Sequence, residues 1–271
     1  MKAIFNHEIL NWEEVRLSPL NRGFRYGDGF FETIAIVKGS PRFLDRHINR
    51  LKNGAALLHL DVDAILNADK IKSDILALQT ANKLQEDAKL KLYIWRNSEG
   101  LYTPADGNAQ YLMTIEKVIF TKISLVKSAG ISDKTYNYPS PTSRFKTMSA
   151  MKYVIAGIEM KERKWEEIII TDHQGFVSET LSSNLFWKKN DCYYTSPLST
   201  GCIEGIMRSW LMNRLKQNGF MVKEKSLKPL ELFNSDHIFT SNSMGIRHIQ
   251  SIGEHTYEMD LVSQKIMESI S

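Results

Sequence analysis

Among its 271 residues the chain has two cysteines, Cys192 and Cys202, and no apolar run of membrane-spanning length. Two cysteines exclude a disulfide framework, and these lack metal-ligand spacing, so no metal is expected and both read as thiols of a reducing compartment. The opening Met1-Lys2-Ala3-Ile4-Phe5-Asn6 turns polar within a few residues, which does not fit a signal peptide. The expectation is a cytoplasmic protein with no membrane partner. An excess of one charge is lacking too: 35 basic and 31 acidic residues give a net charge of +4 without like-charged blocks. That leaves no nucleic-acid footprint, although the small positive excess suits an anionic small ligand. Repeats and low-complexity tracts are absent as well.

What is present is the composition of an ordinary globular protein. Apolar residues make up 42% and charged residues 24%, enough for two packed domains or one large one. Phe30 to Val37 is rich in β-favouring residues, and Lys38-Gly39-Ser40 turns it back as a hairpin. From Asp45, apolar Ile48, Leu51, Ala55 and Leu58 recur at helical spacing. A second helix is expected over Asp63 to Ala81, then strands over Leu90 to Trp95 and Gln110 to Glu116. Ile131 to Phe145 reads as a long polar loop, and loops of that length are commonly functional. Ser149 to Arg163, Gly205 to Gln217 and Tyr257 to Ile270 read as helices among several short strands. The first set of elements is complete between Lys117 and Ser124, which places two domains at 1–119 and 120–271. Their irregular alternation predicts an α+β or mixed α/β fold rather than a doubly wound parallel sheet.

Four segments carry more than a plain core requires. Tyr26-Gly27-Asp28-Gly29 marks a tight backbone passage into a strand, and a simple turn explains it equally. Arg46 and Arg50 lie one turn apart, where either can meet an anion or simply form a solvated face. Lys146 sits beside Phe145 at the end of the long loop, and a partly desolvated lysine has the lowered pKa of a nucleophilic amine. An ordinary surface lysine is the alternative. Gly205-Ile206-Met207 opens a helix whose free amides can cradle phosphate, or else its glycine is a turn residue. Together with Glu179, usually a solvated residue when alone, these supply the parts of a pyridoxal phosphate site.

In combination they resemble the class IV, fold-type IV family of pyridoxal-phosphate enzymes, which holds branched-chain and D-amino-acid aminotransferases and 4-amino-4-deoxychorismate lyase. The resemblance covers nearly the whole chain, through Tyr26-Gly-Asp-Gly-Phe-Phe-Glu-Thr, His47-x-x-Arg50-Leu51, Lys146 before a helix, Glu179 with Ser183-Asn184-Leu185-Phe186, and Gly205-Ile206-Met207-Arg208. It implies two α/β domains, like those of D-amino-acid aminotransferase, with the cofactor between them, and a homodimer whose partner chain helps wall the site. Lys146 then matches the Schiff-base lysine and proton shuttle, and Glu179 the carboxylate beside the pyridine nitrogen. Arg50 matches the phosphate-binding arginine, with the amides of Ile206 and Met207 as the phosphate cradle. Ser241 and Asn242 sit where the family places further phosphate and substrate contacts, whereas Arg46 keeps its surface reading.

The departures inform the choice of member. Where branched-chain aminotransferases continue Phe-Glu-Gly-Ile-Arg, this chain has Phe31-Glu32-Thr33-Ile34-Ala35, and their Ser-Gly-Thr-Ala becomes Thr240-Ser241-Asn242-Ser243. The Arg-x-His pair of D-amino-acid aminotransferases has no counterpart in Asn97 to Thr103. Asn184 to Lys189, Tyr194 to Pro197, Gly205 to Arg208 and Ser241 to Ser243 resemble the aminodeoxychorismate lyases more closely, although their Gly-Arg-Gly-Tyr is altered to Glu99-Gly100-Leu101-Tyr102. The resemblance therefore implies a lyase for an amino-bearing carboxylate, releasing pyruvate and 4-aminobenzoate, a folate precursor. Arg96 is a candidate for the substrate carboxylate from its place at the end of a cofactor-facing strand. A class IV aminotransferase for branched-chain or D-amino acids is the second reading, and an inactive binding protein on the same fold the third.

Overall fold

The computed structural model describes residues 1–120 and 124–268. Residues 121–123, in the expected junction, and 269–271, at the end of the expected last helix, lie outside the described residues. The chain divides into one unit of Met1–Phe120 with Phe145–Ser149 and another of Thr121–Arg144 with Ala150–Ser271. No helix among the described residues is long and apolar enough to cross a membrane.

The first unit contains β1 (Lys2–Phe5), β2 (Glu8–Asn11), α1 (Arg22–Tyr26), β3 (Gly29–Val37), β4 (Ser40–Pro41), α2 (Leu44–Leu57), α3 (Ala68–Asn82), β5 (Ala88–Arg96) and β6 (Ala109–Lys117). Its six strands form one antiparallel sheet in the order β2-β1-β6-β5-β3-β4. Lys38 and Gly39 both take positive φ, as a two-residue hairpin turn between twisted strands requires. Period-2 alternation gives the sheet two different faces. Ile34 and Ile36 of β3, Leu90, Leu92 and Ile94 of β5, and Met113 and Ile115 of β6 pack against Ile48 and Leu51 of α2 and Ile71, Ile75 and Leu78 of α3. Phe31, Thr33, Lys91 and Tyr93 take the other face, where they are half-buried.

Glu32 interrupts the apolar face, and α2 compensates for it. Arg50 donates from Nε to Glu32 Oε1 and from Nη2 to Oε2, both at 2.6 Å, and His47 Nδ1 lies 2.7 Å from Oε2. All three residues are buried.

The second unit contains β7 (Leu125–Val126), β8 (Ala129–Asn137), α4 (Met151–Glu162), β9 (Glu167–Asp172), β10 (Val177–Thr180), β11 (Asn184–Lys189), β12 (Cys192–Thr195), α5 (Ile206–Gln217), β13 (Met221–Glu224), α6 (Pro229–Leu232), β14 (His237–Asn242), β15 (Gly245–Ile249), β16 (Ser251–Ile252), β17 (His255–Thr256) and α7 (Leu261–Glu268). A five-stranded sheet runs β10-β9-β8-β16-β17, and a six-stranded one runs β13-β12-β11-β14-β15-β7. Val126, Ile169, Val177, Leu185, Ile238 and Ile249 fill a core cluster drawn from strands of both sheets. The mixed pairing agrees with the expected α+β character.

The segment expected as a polar loop from Ile131 is strand as far as Asn137. Its pairing with β9 is parallel and irregular between Ile131 and Tyr136, and Ser132 donates to the buried Glu159 of α4 at 2.7 Å. Tertiary pairing overrides a composition that looks like loop.

Burial alone pushes the Glu32 carboxyl up, but the Arg50 guanidinium, with His47, outweighs burial and holds it at about 2. A carboxyl lowered in the folded state contributes stability above the ordinary value of about 4.3, and that contribution is lost as pH falls toward the folded value. Replacing Glu32 with Gln is expected to cost roughly 3–5 kcal/mol in urea denaturation at neutral pH, because Arg50 is left buried without its counter-charge. The variant should also show a flatter fall in stability below pH 4.5 than the parent; parallel acid limbs would remove Glu32 as the cause.

Candidate functional site

Chain order assigns Lys146 to the second domain, but backbone pairing groups it with the first unit. The Phe31 N–H donates to the Lys146 carbonyl at 2.8 Å, the Met148 N–H donates to the Gly29 carbonyl at 3.0 Å, and Phe30 bridges antiparallel to Thr147. Close approach on both sides of β3 explains two of the motif glycines. A Cβ on Gly27, whose φ is +63°, would lie 2.9 Å from the Ser149 nitrogen, and one on Gly29 would overlap the Ile94 carbonyl. The tight passage therefore lets the lysine segment zip onto the strand.

Held this way, Lys146 Nζ lies 5.3 Å from the centroid of the Phe31 ring. A second ammonium, Lys91 Nζ, lies 5.0 Å from the same centroid, and Tyr93 stacks on that ring at 5.9 Å. Lys91 and Tyr93 reach it because Thr33 pairs with Lys91 and Phe31 with Tyr93 across β3 and β5. Among the described residues Lys91 has no hydrogen-bond or ion-pair partner, only this ring. Burial pulls its ammonium pKa down, Lys89 adds to that, and Glu116 opposes it. The arrangement is a half-buried cationic pair around an aromatic ring, suited to an anion.

The two arginines proposed from sequence are placed differently. Arg50 is held by Glu32, which fixes the plane of its guanidinium. Arg96 is 3% exposed. Its Nε donates to Asp28 at 2.9 Å, Nη1 to the Asp106 carbonyl at 2.8 Å and the His59 carbonyl at 3.4 Å, and Nη2 to the Leu58 carbonyl at 2.5 Å. Asp28 also accepts from Arg22 Nε at 2.7 Å. An arginine so committed fastens the turn and loop around it, and a substrate carboxylate would have to displace four hydrogen bonds to reach it.

In the second unit, Glu179 is buried near the end of β10. Its Oε1 accepts from Tyr153 Oη at 2.7 Å and Asn137 Nδ2 at 2.9 Å, and its Oε2 accepts from the Ile203 N–H at 3.0 Å. Burial and then the Glu179 charge push the Tyr153 phenol far above its ordinary range, so it remains a donor. Helix α5 begins after Gly205 with no side chain capping its first amides, those of Ile206 and Met207 included. A Cβ on Gly205 would overlap Asn184 Oδ1, and Asn184 pairs across the strands with Ser241. Asn184 Nδ2 donates to the Ile203 carbonyl at 2.7 Å, and Asn242 Nδ2 to Ser183 Oγ at 2.9 Å. Among the described residues, Ser241 Oγ is buried with no hydrogen-bond partner.

Residues 29–252 match the family described as amino-transferase class IV. The chain belongs to that family. Among its relatives are the aminodeoxychorismate lyase of Bacillus subtilis, 26% identical over 88% of this chain and 82% of that protein, and the D-alanine aminotransferase of Bacillus licheniformis, 27% identical over 94% and 90%. The crystal structure of a branched-chain aminotransferase from Thermoproteus uzoniensis with norvaline shares the fold at a TM-score of 0.89 and 23% identity, covering all of this chain and 93% of that one. The chain is therefore an enzyme, a pyridoxal-phosphate-dependent lyase or aminotransferase with the fold-type IV architecture.

The residues present fit that cofactor. Open amides at a helix start and a buried hydroxyl without a partner suit a phosphate. A carboxylate solvated by three fixed donors suits a protonated ring nitrogen. Sequence reasoning missed Lys91, Tyr153 and Asn137. For Lys91 the pairing with Thr33 of the motif strand is visible only in the structure; Asn137 was hidden in the supposed loop. Asn137→Ala and Tyr153→Phe each remove one donor from Glu179, and each should cost roughly 1.5–3 kcal/mol, as expected for a hydrogen bond to a charged group. Urea denaturation reads this directly, and unchanged midpoints would mean that the carboxylate finds its solvation elsewhere.

Proposed function

We propose that this enzyme is an aminodeoxychorismate lyase, and Lys91 is the observation that carries the reading. A branched-chain amino acid has one carboxylate and an aliphatic side chain, which would leave the Lys91 ammonium half-buried and unpaired. A dicarboxylate with an amine on a ring offers Lys91 a counter-ion while its amine meets Lys146. Arg96, held by Asp28 and three carbonyls, is replaced by Lys91 as the candidate substrate contact.

When bound, pyridoxal phosphate supplies an electron sink for the pair released at the amine-bearing carbon. Lys146 would hold the cofactor through Nζ until the substrate's amine displaces it from that bond, and the freed Nζ would then take the proton from the amine-bearing carbon. The carbon–oxygen bond to the enolpyruvyl group breaks, the ring becomes the aromatic 4-aminobenzoate, and the departing enolpyruvate takes a proton to give pyruvate. Glu179 keeps the ring nitrogen protonated, with Tyr153 and Asn137 fixing its carboxylate. Ile206, Met207, Ser241 and Asn242 would hold the phosphate, and Arg50, whose guanidinium Glu32 orients, would serve the same group.

Purified enzyme is expected to release pyruvate from 4-amino-4-deoxychorismate, followed through lactate dehydrogenase. Lys91→Met should raise KM roughly tenfold or more with kcat little changed, as loss of an ion pair made in ground and transition states alike. Amino transfer from D-alanine or a branched-chain amino acid to 2-oxoglutarate without pyruvate release would move the assignment to the aminotransferases.

A homodimer belongs to the same proposal. Phe24 of α1 and Leu101 and Tyr102 are 80%, 69% and 88% exposed, and Arg22 Nη1 of α1 fixes the loop of the latter two by donating to the Gly100 carbonyl at 2.9 Å and the Leu101 carbonyl at 2.5 Å. Rigidly held, exposed apolar side chains suit a protein partner. Sedimentation should show a dimer that Tyr102→Glu weakens; a monomeric parent would refute it.

A further inference from the structure

The second unit reads the two ends of the cofactor from different sheets, if Glu179 and Ser241 have the roles proposed above, on which this inference rests. Glu179 lies on β10 of the five-stranded sheet, Ser241 on β14 of the six-stranded one. Their separation therefore depends on what fixes one sheet against the other.

One buried carboxylate joins them. Glu167, the first residue of β9, is 2% exposed. Its Oε2 accepts from Arg247 Nη1 of β15 at 3.1 Å, while its Oε1 accepts from the Leu181 N–H at 3.3 Å and the Ile168 N–H at 3.1 Å. Leu181 follows Glu179 by two residues, in the turn that leads to Asn184. Arg247 pairs across the strands with Thr240, next to Ser241. On β14, Phe239 packs in the cluster around α5, whereas Ile238 faces the core cluster shared with strands of the other sheet. Alternation puts Thr240 on the Ile238 face, and its cross-strand partner Arg247 beside it. Ser241 is left on the α5 face. Burial pushes the Glu167 carboxyl upward, and the Ile168 and Leu181 amides and Arg247 oppose that. The Arg247 side chain is itself 35% exposed, so the ion pair sits at the rim of the inter-sheet core.

We propose that Glu167 and Arg247 are positioning residues that act as a strut between the two sheets and set the spacing of the ring-nitrogen anchor from the phosphate cradle. Neither touches the cofactor. The strut acts through Leu181 on one side and through the Thr240–Ser241 strand on the other. Its loss should loosen cofactor binding, in addition to any loss of stability.

The test uses the full-length apoenzyme titrated with pyridoxal phosphate, with binding followed by absorbance, and unfolding midpoints measured on the same preparations. Glu167→Gln, which keeps an oxygen for the Leu181 amide but loses the charge, and Arg247→Met should each weaken the cofactor Kd roughly tenfold, the scale of a charged hydrogen bond. Arg247→Lys, which retains the cation, should recover most of the affinity. The double variant should be no weaker than the worse single one, because one interaction is removed either way. An unchanged Kd in Glu167→Gln and Arg247→Met, even with lowered midpoints, overturns the proposal and leaves the pair as ordinary packing. Additive losses in the double variant overturn it too. Should Arg247→Met fail to fold, Glu167→Gln and Arg247→Lys still decide. Parent enzyme that binds the cofactor but releases no pyruvate refutes only the lyase assignment.

Discussion

A carboxylate on the buried face of a sheet must be neutralised where it stands, and in the first unit that requirement fixes the strand on which the chemistry depends. Glu32 faces α2, where Arg50 closes on it with two hydrogen bonds and His47 with a third. A register slip of one residue in β3 would turn Glu32 away from Arg50 and Phe31 into the core. The pair therefore specifies the register as well as contributing stability. Phe31 then points from the opposite face, and the backbone of the same residue holds the Lys146 segment. Motif residues that look like separate signals in the chain are thus successive positions on one strand, facing alternate sides.

The same logic explains what could be read in advance. Gly27, Gly29, Glu32, Arg50, Lys146, Glu179 and Gly205 stand out because each performs a task that few residue types can perform. A positive φ, a close backbone approach or a buried charge leaves a mark in the sequence. The strand β3 and helix α2 were legible for the usual reason, that their apolar residues keep the period of their element. Lys91 was not, because Lys89 and Lys91 at alternate positions of β5 look like a solvated strand face. What makes it different is the half-burial of that face and the ring opposite, and both are tertiary facts. Arg96 shows the converse. Its position on the strand was read well enough, but no sequence pattern says whether a guanidinium turns toward a ligand or back onto carbonyl groups. The strand β8 was missed because its buried positions include Ser132, Thr135 and Asn137, which hydrogen bonds and pairing accommodate in place of apolar contact.

The two units also differ in how their charges are held. Glu179 is a buried anion with three fixed donors, so its position is settled before any ligand arrives. Lys91 and Lys146 are cations gathered around one ring, whose negative face attracts both while offering no hydrogen bond. Fixed dipoles around the anion favour a cation on a ligand, and ammonium groups gathered at a ring favour an anion.

This asymmetry bears on why one family holds both lyases and aminotransferases. Removal of a proton beside an amine is common to the two. What separates them is where the released electron pair goes next, which depends on whether the substrate carries a leaving group at a suitable carbon. The protein influences that choice mainly by which substrate it admits and how it is oriented. A half-buried ammonium without a partner is a selective element of that kind: it disfavours an aliphatic side chain by leaving a charge unsolvated, and it favours a second carboxylate by pairing with it. On the proposed reading that selection falls to β5, which pairs with β3, while the backbone of β3 holds the Lys146 segment. The register of β3 is secured from behind by Glu32 and Arg50.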